Sequence, residues 1–367
     1  MPKKFLFYMG HPAHFHNISV VIKQLSEKGH KIHLVGRDKD VLFDLVEGLP
    51  YSISKLKPRR GSGKIALIWE VVKREFKMLR IVLRSKPDVM IATDIVVPHI
   101  GKLLKIPTII LNEDDVNEIP FFTKYGIRYC SVALSPLSCD GGKYQYKTVK
   151  YNGYHELAYL HPDHFSPDKS RIQHLFGKQE KYFIIRFSGL TAHHDSGVSG
   201  IDKSLALKII ATLSTHGNVF ITSERPLDKD LDIYRISVTP QDIHHALYYA
   251  DMYIGDSQTM CAEAAVLGTP SIRFNDFVGR LGYLEELEHT FGLTFGFKTA
   301  DESAMLSKIG DLLTSKNLNE KWSKKREFML SKNLNVAHFW TWFFDNYTAL
   351  KQEGRGPSDF LDIYNQQ

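Results

Sequence analysis

Residues 239–274, TPQDIHHALYYADMYIGDSQTMCAEAAVLGTPSIRF, decide how this chain is read. Their centre predicts a buried strand through Met252, Tyr253 and Ile254, an exposed turn at Gly255 and Asp256, and a helix beginning near Ser257 to Thr259. The first turn of a helix leaves backbone N–H groups unpaired, and such a start attracts a diphosphate. That assigns Ser257, Gln258, Thr259 and Met260 to an anion site. Glu263 falls one turn further in, where its carboxylate could face the same mouth and accept both hydroxyls of a ribose. A second short strand, Pro270 to Phe274, follows Gly268. Upstream, Thr239 caps a helix over 240–250 and Pro240 opens it.

Working outward, the same strand and helix rhythm fills both halves. The first half predicts strands at Lys4–Met9, Lys31–Gly36, Asp88–Ala92 and Thr108–Leu111, with helices over 17–28, 64–84 and 97–104 between them. The second predicts strands at Tyr182–Phe187 and Val219–Thr222 and a helix over 202–214. Alternation of this kind implies βαβ units around parallel sheets. Two such sheets in tandem are expected to face a shared cleft with their strand carboxyl ends, where ligands bind. The expected organisation is an α/β chain of two Rossmann-like domains, 1–160 and 161–335, joined by the His-, Pro- and Asp-rich stretch 153–178. An aromatic helix within 336–367 is expected to return to the first domain.

Composition narrows the class. A chain of 367 residues, 43% hydrophobic and 24% charged, has the make-up of a globular protein of two ordinary domains. Cys130, Cys139 and Cys261 lack metal-ligand spacing, and no apolar run reaches the roughly 18 residues needed to span a bilayer. A reduced, cytoplasmic setting is the expectation. The formal charge of +6 is concentrated: residues 55–86 hold eleven Lys or Arg against Glu70 and Glu75, so the rest of the chain is net negative. From Lys64 onward that segment is helical in period, with Ile65, Ile68, Trp69, Val72, Phe76, Leu79 and Leu83 on one side. It fits either a helix lying peripherally on anionic headgroups or a surface helix packing its stripe into the core. With Trp69 and Phe76 on the apolar stripe rather than among exposed charges, no nucleic-acid partner is expected.

The stretch quoted above resembles the donor half of GT-B glycosyltransferases, and MGHPAHFHNISVVIKQLSEKGHKIHLVG at 9–36 resembles their acceptor half. The chain is also similar to the peptidoglycan GlcNAc transferase that acts on lipid I, in which a histidine follows a glycine-rich turn; His14 or His16 takes that place here. The closest resemblance is to the domain of unknown function 354 family, which implies a GT-B fold. A rival resemblance is to non-hydrolysing UDP-GlcNAc 2-epimerases. There IATDIVVPHIGKLLKIPTIILNED at 91–114 supplies Asp94 and Glu113 at the family's acidic positions, and His193 or His194 could stand for its histidine. The arginine-containing turn of that family is replaced by Gly10-His11-Pro12-Ala13-His14, and its further carboxylate is met only loosely by Glu118.

These readings nominate residues. A neutral imidazole just beyond the first strand could deprotonate an acceptor hydroxyl, and His14 is chosen over His11 and His16 by position against the family motif; the plainer role is a hydrogen bond to loop backbone. Asp94 and Glu113 end adjacent strands and could act as base and orienting partner, or Asp94 could simply cap the next helix. Arg186 and Gly189, with His193 and His194 beyond them, form a turn suited to a diphosphate, Arg offering a forked cation. GSGK at 61–64 lacks the Ser or Thr that a phosphate-binding Walker loop needs, and the acidic pairs within 227–232 lack a preceding apolar strand. No metal or cofactor is expected. The sequence thus points to a metal-independent glycosyltransferase using a nucleotide sugar, UDP-linked by resemblance, and a cell-envelope or lipid-linked glycan acceptor. Alternatives are a sugar-nucleotide epimerase and a non-catalytic nucleotide-sugar binding protein.

Overall fold

A computed structural model describes residues 1–37, 42–56, 64–176, 181–189 and 200–366, with backbone alone at 64–68. The chain divides into two compact units, Met1–His164 with Leu334–Gln367, and Phe165–Asn333.

The first unit is built on seven strands: β1 (Lys4–Met9), β2 (Lys31–Arg37), β3 (Ser52–Leu56), β4 (Val89–Ala92), β5 (Thr108–Leu111), β6 (Val132–Pro136) and β7 (Thr148–Tyr151). They pair in the order β3-β2-β1-β4-β5-β6-β7, all parallel. The second unit holds β8 (Tyr182–Phe187), β9 (Asn218–Ser223), β10 (Met252–Gly255), β11 (Ser271–Phe274) and β12 (Thr294–Phe297), paired β12-β11-β10-β8-β9, again all parallel. The apolar runs FLFYM, VMIA and YFII are buried along their length, as strands covered on both faces require.

In each sheet the order reverses beside the first strand of the unit, between β1 and β4 and between β8 and β10. Neighbouring connections there leave to opposite faces, which opens a crevice at the strand carboxyl ends. The helix Val336–Gln352 packs on the first unit. Phe344 lies against Phe7, Trp340 against Tyr151, and Thr341 Oγ1 donates to Gln24 Oε1 at 2.6 Å.

Two expected helix starts move by more than two residues. The first helix runs Pro12–Glu27, five residues earlier than its apolar period, because His11 caps it by accepting from the Ala13 N–H and Pro12 supplies a ready φ at its first position. His14 and His16 therefore lie in helical turns. The helix expected over 240–250 is confined to Ile243–Tyr249. The Thr239 carbonyl accepts from Asp242 and Ile243 N–H in a turn of its own. Strands β3, β6, β7 and β12 carried too little alternation to be read beforehand.

Candidate functional site

The crevice of the second unit is formed where Arg186 of β8 stands in register with Gly255 of β10. Beyond β8, two consecutive backbone donors meet carboxylates: Ser188 N–H donates to Asp256 Oδ1 at 2.6 Å and Gly189 N–H to Glu224 Oε2 at 2.8 Å. Arg186 Nη2 donates to the other oxygen of Glu224. A second guanidinium closes the ring, Arg225 Nη2 lying 3.2 Å from Asp256 Oδ2 and donating to the Ile201 carbonyl at 2.6 Å. Asp256 is buried; burial pushes its carboxyl above the usual carboxylate range, against the pull of Ser188 N–H and Arg225.

The helix Gln258–Leu267 opens beside this cluster. Ser257 is its cap, the Oγ accepting from Met260 N–H at 3.4 Å, and Gly268, at φ 85°, ends it in the left-handed conformation. Gln258 Nε2 donates to Asn275 Oδ1 at 2.8 Å, and Asn275 Nδ2 to the Asp256 carbonyl at 3.0 Å, so the helix start is tied to the turn below it. Ser257, Gln258 and Thr259 are half-buried, and Met260 is buried. Glu263 is placed differently from the sequence expectation. It is buried, with Oε1 3.0 Å from His244 Nε2, a histidine of the helix Ile243–Tyr249. A ribose hydroxyl at this carboxylate would share it with His244. His193 and His194 lie outside the described residues.

In the first unit, β1 and β4 are joined across their crevice by His14. Its Nδ1 accepts from Gly10 N–H at 3.1 Å and lies 2.6 Å from Thr93 Oγ1. A backbone N–H can only donate, so Nδ1 holds a lone pair and the ring proton sits on Nε2. Burial, then the neighbouring charges of His11 and Arg37, hold the imidazole down to about 3, so it is neutral at pH 7. His14 lines a small cavity with Tyr8, Asn17, Thr93 and Leu111. His11 serves as helix cap, and His16 stacks on Tyr159 at 5.6 Å.

Asp94 lies one residue before the cap position of the helix Val96–Leu104: its Oδ1 accepts from Val96 N–H at 2.8 Å, while Oδ2 pairs with Arg74 Nη1 at 3.2 Å. Glu113 Oε2 lies 3.2 Å from Nδ1 of His155, a buried histidine whose ring meets the edge of Trp340 at 4.9 Å. Burial, then His14, lowers His155 to about 3. The same Nδ1 lies 3.4 Å from Asn17 Nδ2, and the buried Nε2 has no hydrogen-bond partner. Among the described residues no group of three His, Cys, Asp or Glu is placed to hold a metal ion.

Thr93, Arg74, His155, Glu224 and Arg225 were not singled out by sequence. Arg225 and Glu224 follow β9 as Ser188 and Gly189 follow β8, a position that could have flagged them; His155 carries no local signal.

Two parallel-sheet units, each with a crevice at its switch point and a terminal helix returned to the first, define the GT-B architecture shared by sugar-transferring and sugar-nucleotide epimerising enzymes. The chain is similar over 95% of its length to 97% of a putative UDP-N-acetylglucosamine 2-epimerase from Listeria monocytogenes, at 10% identity and a TM-score of 0.68. It covers 98% of a glycotransferase of kitacinnamycin with 92% of its own length, at 11% identity and TM-score 0.58. It covers all of a UDP-GlcNAc 2-epimerase from Neisseria meningitidis bound to UDP-GlcNAc with 90%, at 13% and 0.59. At these identities the likeness is one of fold. The chain belongs to the family described as Protein of unknown function (DUF354), whose pattern it matches over residues 7–277. No curated protein matches it.

Proposed function

We propose that this chain is a glycosyltransferase that takes a sugar from a nucleotide diphosphate donor, UDP by the company of its fold, and passes it to a hydroxyl of a cell-envelope or lipid-linked glycan. The observation that carries the reading is the second unit's crevice. Consecutive amide donors at Ser188 and Gly189, the guanidinium groups of Arg186 and Arg225 and the capped start of the helix Gln258–Leu267 converge at one switch point. Such a set suits a diphosphate, because its charge meets backbone dipoles and forked cations gathered at one place once Glu224 releases them. When the bond between sugar C1 and the diphosphate oxygen breaks, its electrons stay on that oxygen and those donors receive the charge; no metal is called on.

The acceptor proton falls to the first unit. His14, neutral with its proton on Nε2, is suited to orient the acceptor oxygen as a hydrogen-bond donor rather than to take its proton. Glu113, its side chain about one-fifth exposed and its other face held by His155, is the proposed base. The acceptor oxygen then bonds to C1 as its proton passes to Glu113. Asp94, committed to Val96 and Arg74, shapes the crevice wall.

The epimerase reading is supported by Asp94 and Glu113 lying at neighbouring strand ends, and it needs no acceptor. One experiment separates the readings. The protein is incubated with a panel of nucleotide sugars and followed by NMR for binding, epimer formation and free nucleotide, then again with membrane extract. Free nucleotide that appears only with extract supports transfer. An interconverted sugar without extract overturns it in favour of epimerisation, and binding with no product in either arm leaves a nucleotide-sugar sensor.

A further inference from the structure

The helix Lys64–Ser85 was expected to present a single apolar stripe, which would either enter the core or face outward. The structure shows it doing both with different residues. Met78 and Val82 are buried in the core of the first unit, with Val71, Leu79 and Ile81 packed against it. From the same inner side Arg74 reaches Asp94, and Glu75 Oε1 lies 2.6 Å from His99 Nδ1. Most of the expected stripe faces the other way. Trp69 is 60% exposed, Val72 47%, Phe76 54% and Leu83 53%. At 100° per residue these four fall into one row, and Lys73, Lys77, Arg80 and Arg84, all exposed, form a second row directly beside it. The Arg80 guanidinium sits 4.4 Å over the Phe76 ring, joining the rows. No acidic residue is exposed on the described part of this helix; Glu70 and Glu75 are half-buried, Glu70 with Lys73 at 3.6 Å.

We propose that this outer face is a docking surface for an anionic lipid bilayer, the apolar row entering the headgroup boundary and the cation row lying on the headgroups. Contiguous large apolar side chains on an otherwise polar surface mark an interaction site, and a neighbouring line of cations without acids selects an anionic partner. A second copy of the chain fits poorly. A two-fold contact sets each cation row against either the partner's cations or its apolar row. Exposure of Trp69 and Phe76 beside cations removes the ground on which a nucleic-acid partner was set aside. The row is nevertheless completed by Val72 and Leu83, aliphatic side chains that give a base nothing to stack on. The inference goes beyond the sugar-transfer reading and fails separately from it, since vesicle binding and donor binding are read on different units.

The full chain should sediment with vesicles containing phosphatidylglycerol but not with pure phosphatidylcholine, and salt should release it. Among Trp69, Trp322, Trp340 and Trp342, only Trp69 is exposed, so vesicle binding should shift tryptophan emission to the blue, and W69F should abolish that shift. Replacing Lys73, Lys77, Arg80 and Arg84 by Gln should weaken vesicle binding roughly a hundredfold or more, at about fivefold per cation, with UDP binding unchanged. V72S with L83S, which leaves the cations and aromatics intact, should weaken it as well. The proposal is overturned if wild type ignores phosphatidylglycerol vesicles at low salt. It is equally overturned if single-stranded RNA binds this face more tightly than vesicles do and V72S/L83S has no effect.

Discussion

Glu224 occupies two of the donors on which the proposed diphosphate site depends, and its replacement gives a prediction with a definite sign. One oxygen takes the Arg186 guanidinium and the other the Gly189 N–H at 2.8 Å. A ligand phosphate needs both groups, so binding must first break these contacts and then tolerate a carboxylate nearby. The ion pair joins a half-exposed Glu224 to a largely covered Arg186, and pairs near solvent contribute about 0.2–1 kcal/mol. The amide hydrogen bond to a charged acceptor adds on the order of 1 kcal/mol after solvent competition. Glu224→Gln removes the charge but keeps an acceptor for Gly189, which recovers about 1 kcal/mol and should tighten UDP or pyrophosphate binding roughly fivefold. Glu224→Ala removes both contacts and should tighten it by about tenfold or more. Isothermal titration at low and moderate salt measures this, and Arg186→Ala should weaken binding in the same assay. Weaker binding in both Glu224 variants would refute the reasoning, because it would mean that the carboxylate touches the ligand instead of competing with it.

Four further outcomes follow from the geometry. Ser257→Ala deletes the cap bond to Met260 N–H and should cost about 1 kcal/mol, seen in calorimetry as a fall of roughly 2–4 °C in the melting of the second unit; an unchanged transition argues against a capped start. Glu113→Gln should lower turnover by about 10² to 10⁴ with donor affinity held, measured by release of free nucleotide in the presence of acceptor; a loss confined to KM would remove Glu113 from the proton's path. Protonation of His14 and His155 is opposed in the fold, each being held near 3 against an ordinary 6.5. The unfolded chain therefore binds more protons between those values, and stability is complete above about pH 6.5 and declines as pH falls toward 3, by about 1.4 kcal/mol per unit for each imidazole. Urea midpoints at pH 7, 6 and 5 should show stability falling with pH, and His155→Gln should make the fall shallower; a flat or inverted profile contradicts the burial assigned to these rings. Gly101→Val should unfold the first unit readily, since even a Cβ there would lie 1.9 Å from Thr108 Oγ1, and circular dichroism melting reports it.

The fold was legible because its signals are local. Runs such as FLFYM and YFII announce buried strands by themselves, and the polar turn before Gln258 announces a capped helix. The edge strand Ser52–Leu56 and the four-residue β7 were missed for the same reason, being short and mixed in polarity. Residues at the switch points were legible by position, since whatever ends or follows the strands on either side of a reversal lies at a crevice; Arg186, Gly189, Ser257, His14 and Asp94 stand at such strands, whereas Glu113 follows β5, one strand further out, and was singled out by the epimerase resemblance. What sequence could not supply was pairing. Whether Glu263 faces a ligand or the core depends on which side of its helix meets His244, a choice made by tertiary packing. The Lys64–Ser85 helix shows the same limit from the other direction, since period and charge pick out one apolar stripe on it but not that the core takes Met78 and Val82 and leaves most of that stripe outside.

The tautomer of His14 carries this point into the chemistry. Read along the chain, His14 is the best-placed base, one of three imidazoles after the first strand. Gly10 N–H, aimed at Nδ1 by the first turn of the helix Pro12–Glu27, fixes its proton on the outer nitrogen and makes it a donor. Glu113, one of three acids in the run 112–115, lies 3.2 Å from His155 Nδ1 across 42 residues of sequence, and Asn17 Nδ2 approaches the same nitrogen at 3.4 Å. Each assignment rests on a partner distant in sequence or on a backbone amide, and neither leaves a mark in residue identity. The roles of donor and base are therefore properties of the assembled strand ends, and exchanging either partner should exchange the role. Nitrogen-15 chemical shifts of labelled histidines at pH 7 test this directly: His14 should show the Nε2–H form, and the Nδ1–H form there would refute its assignment as the donor.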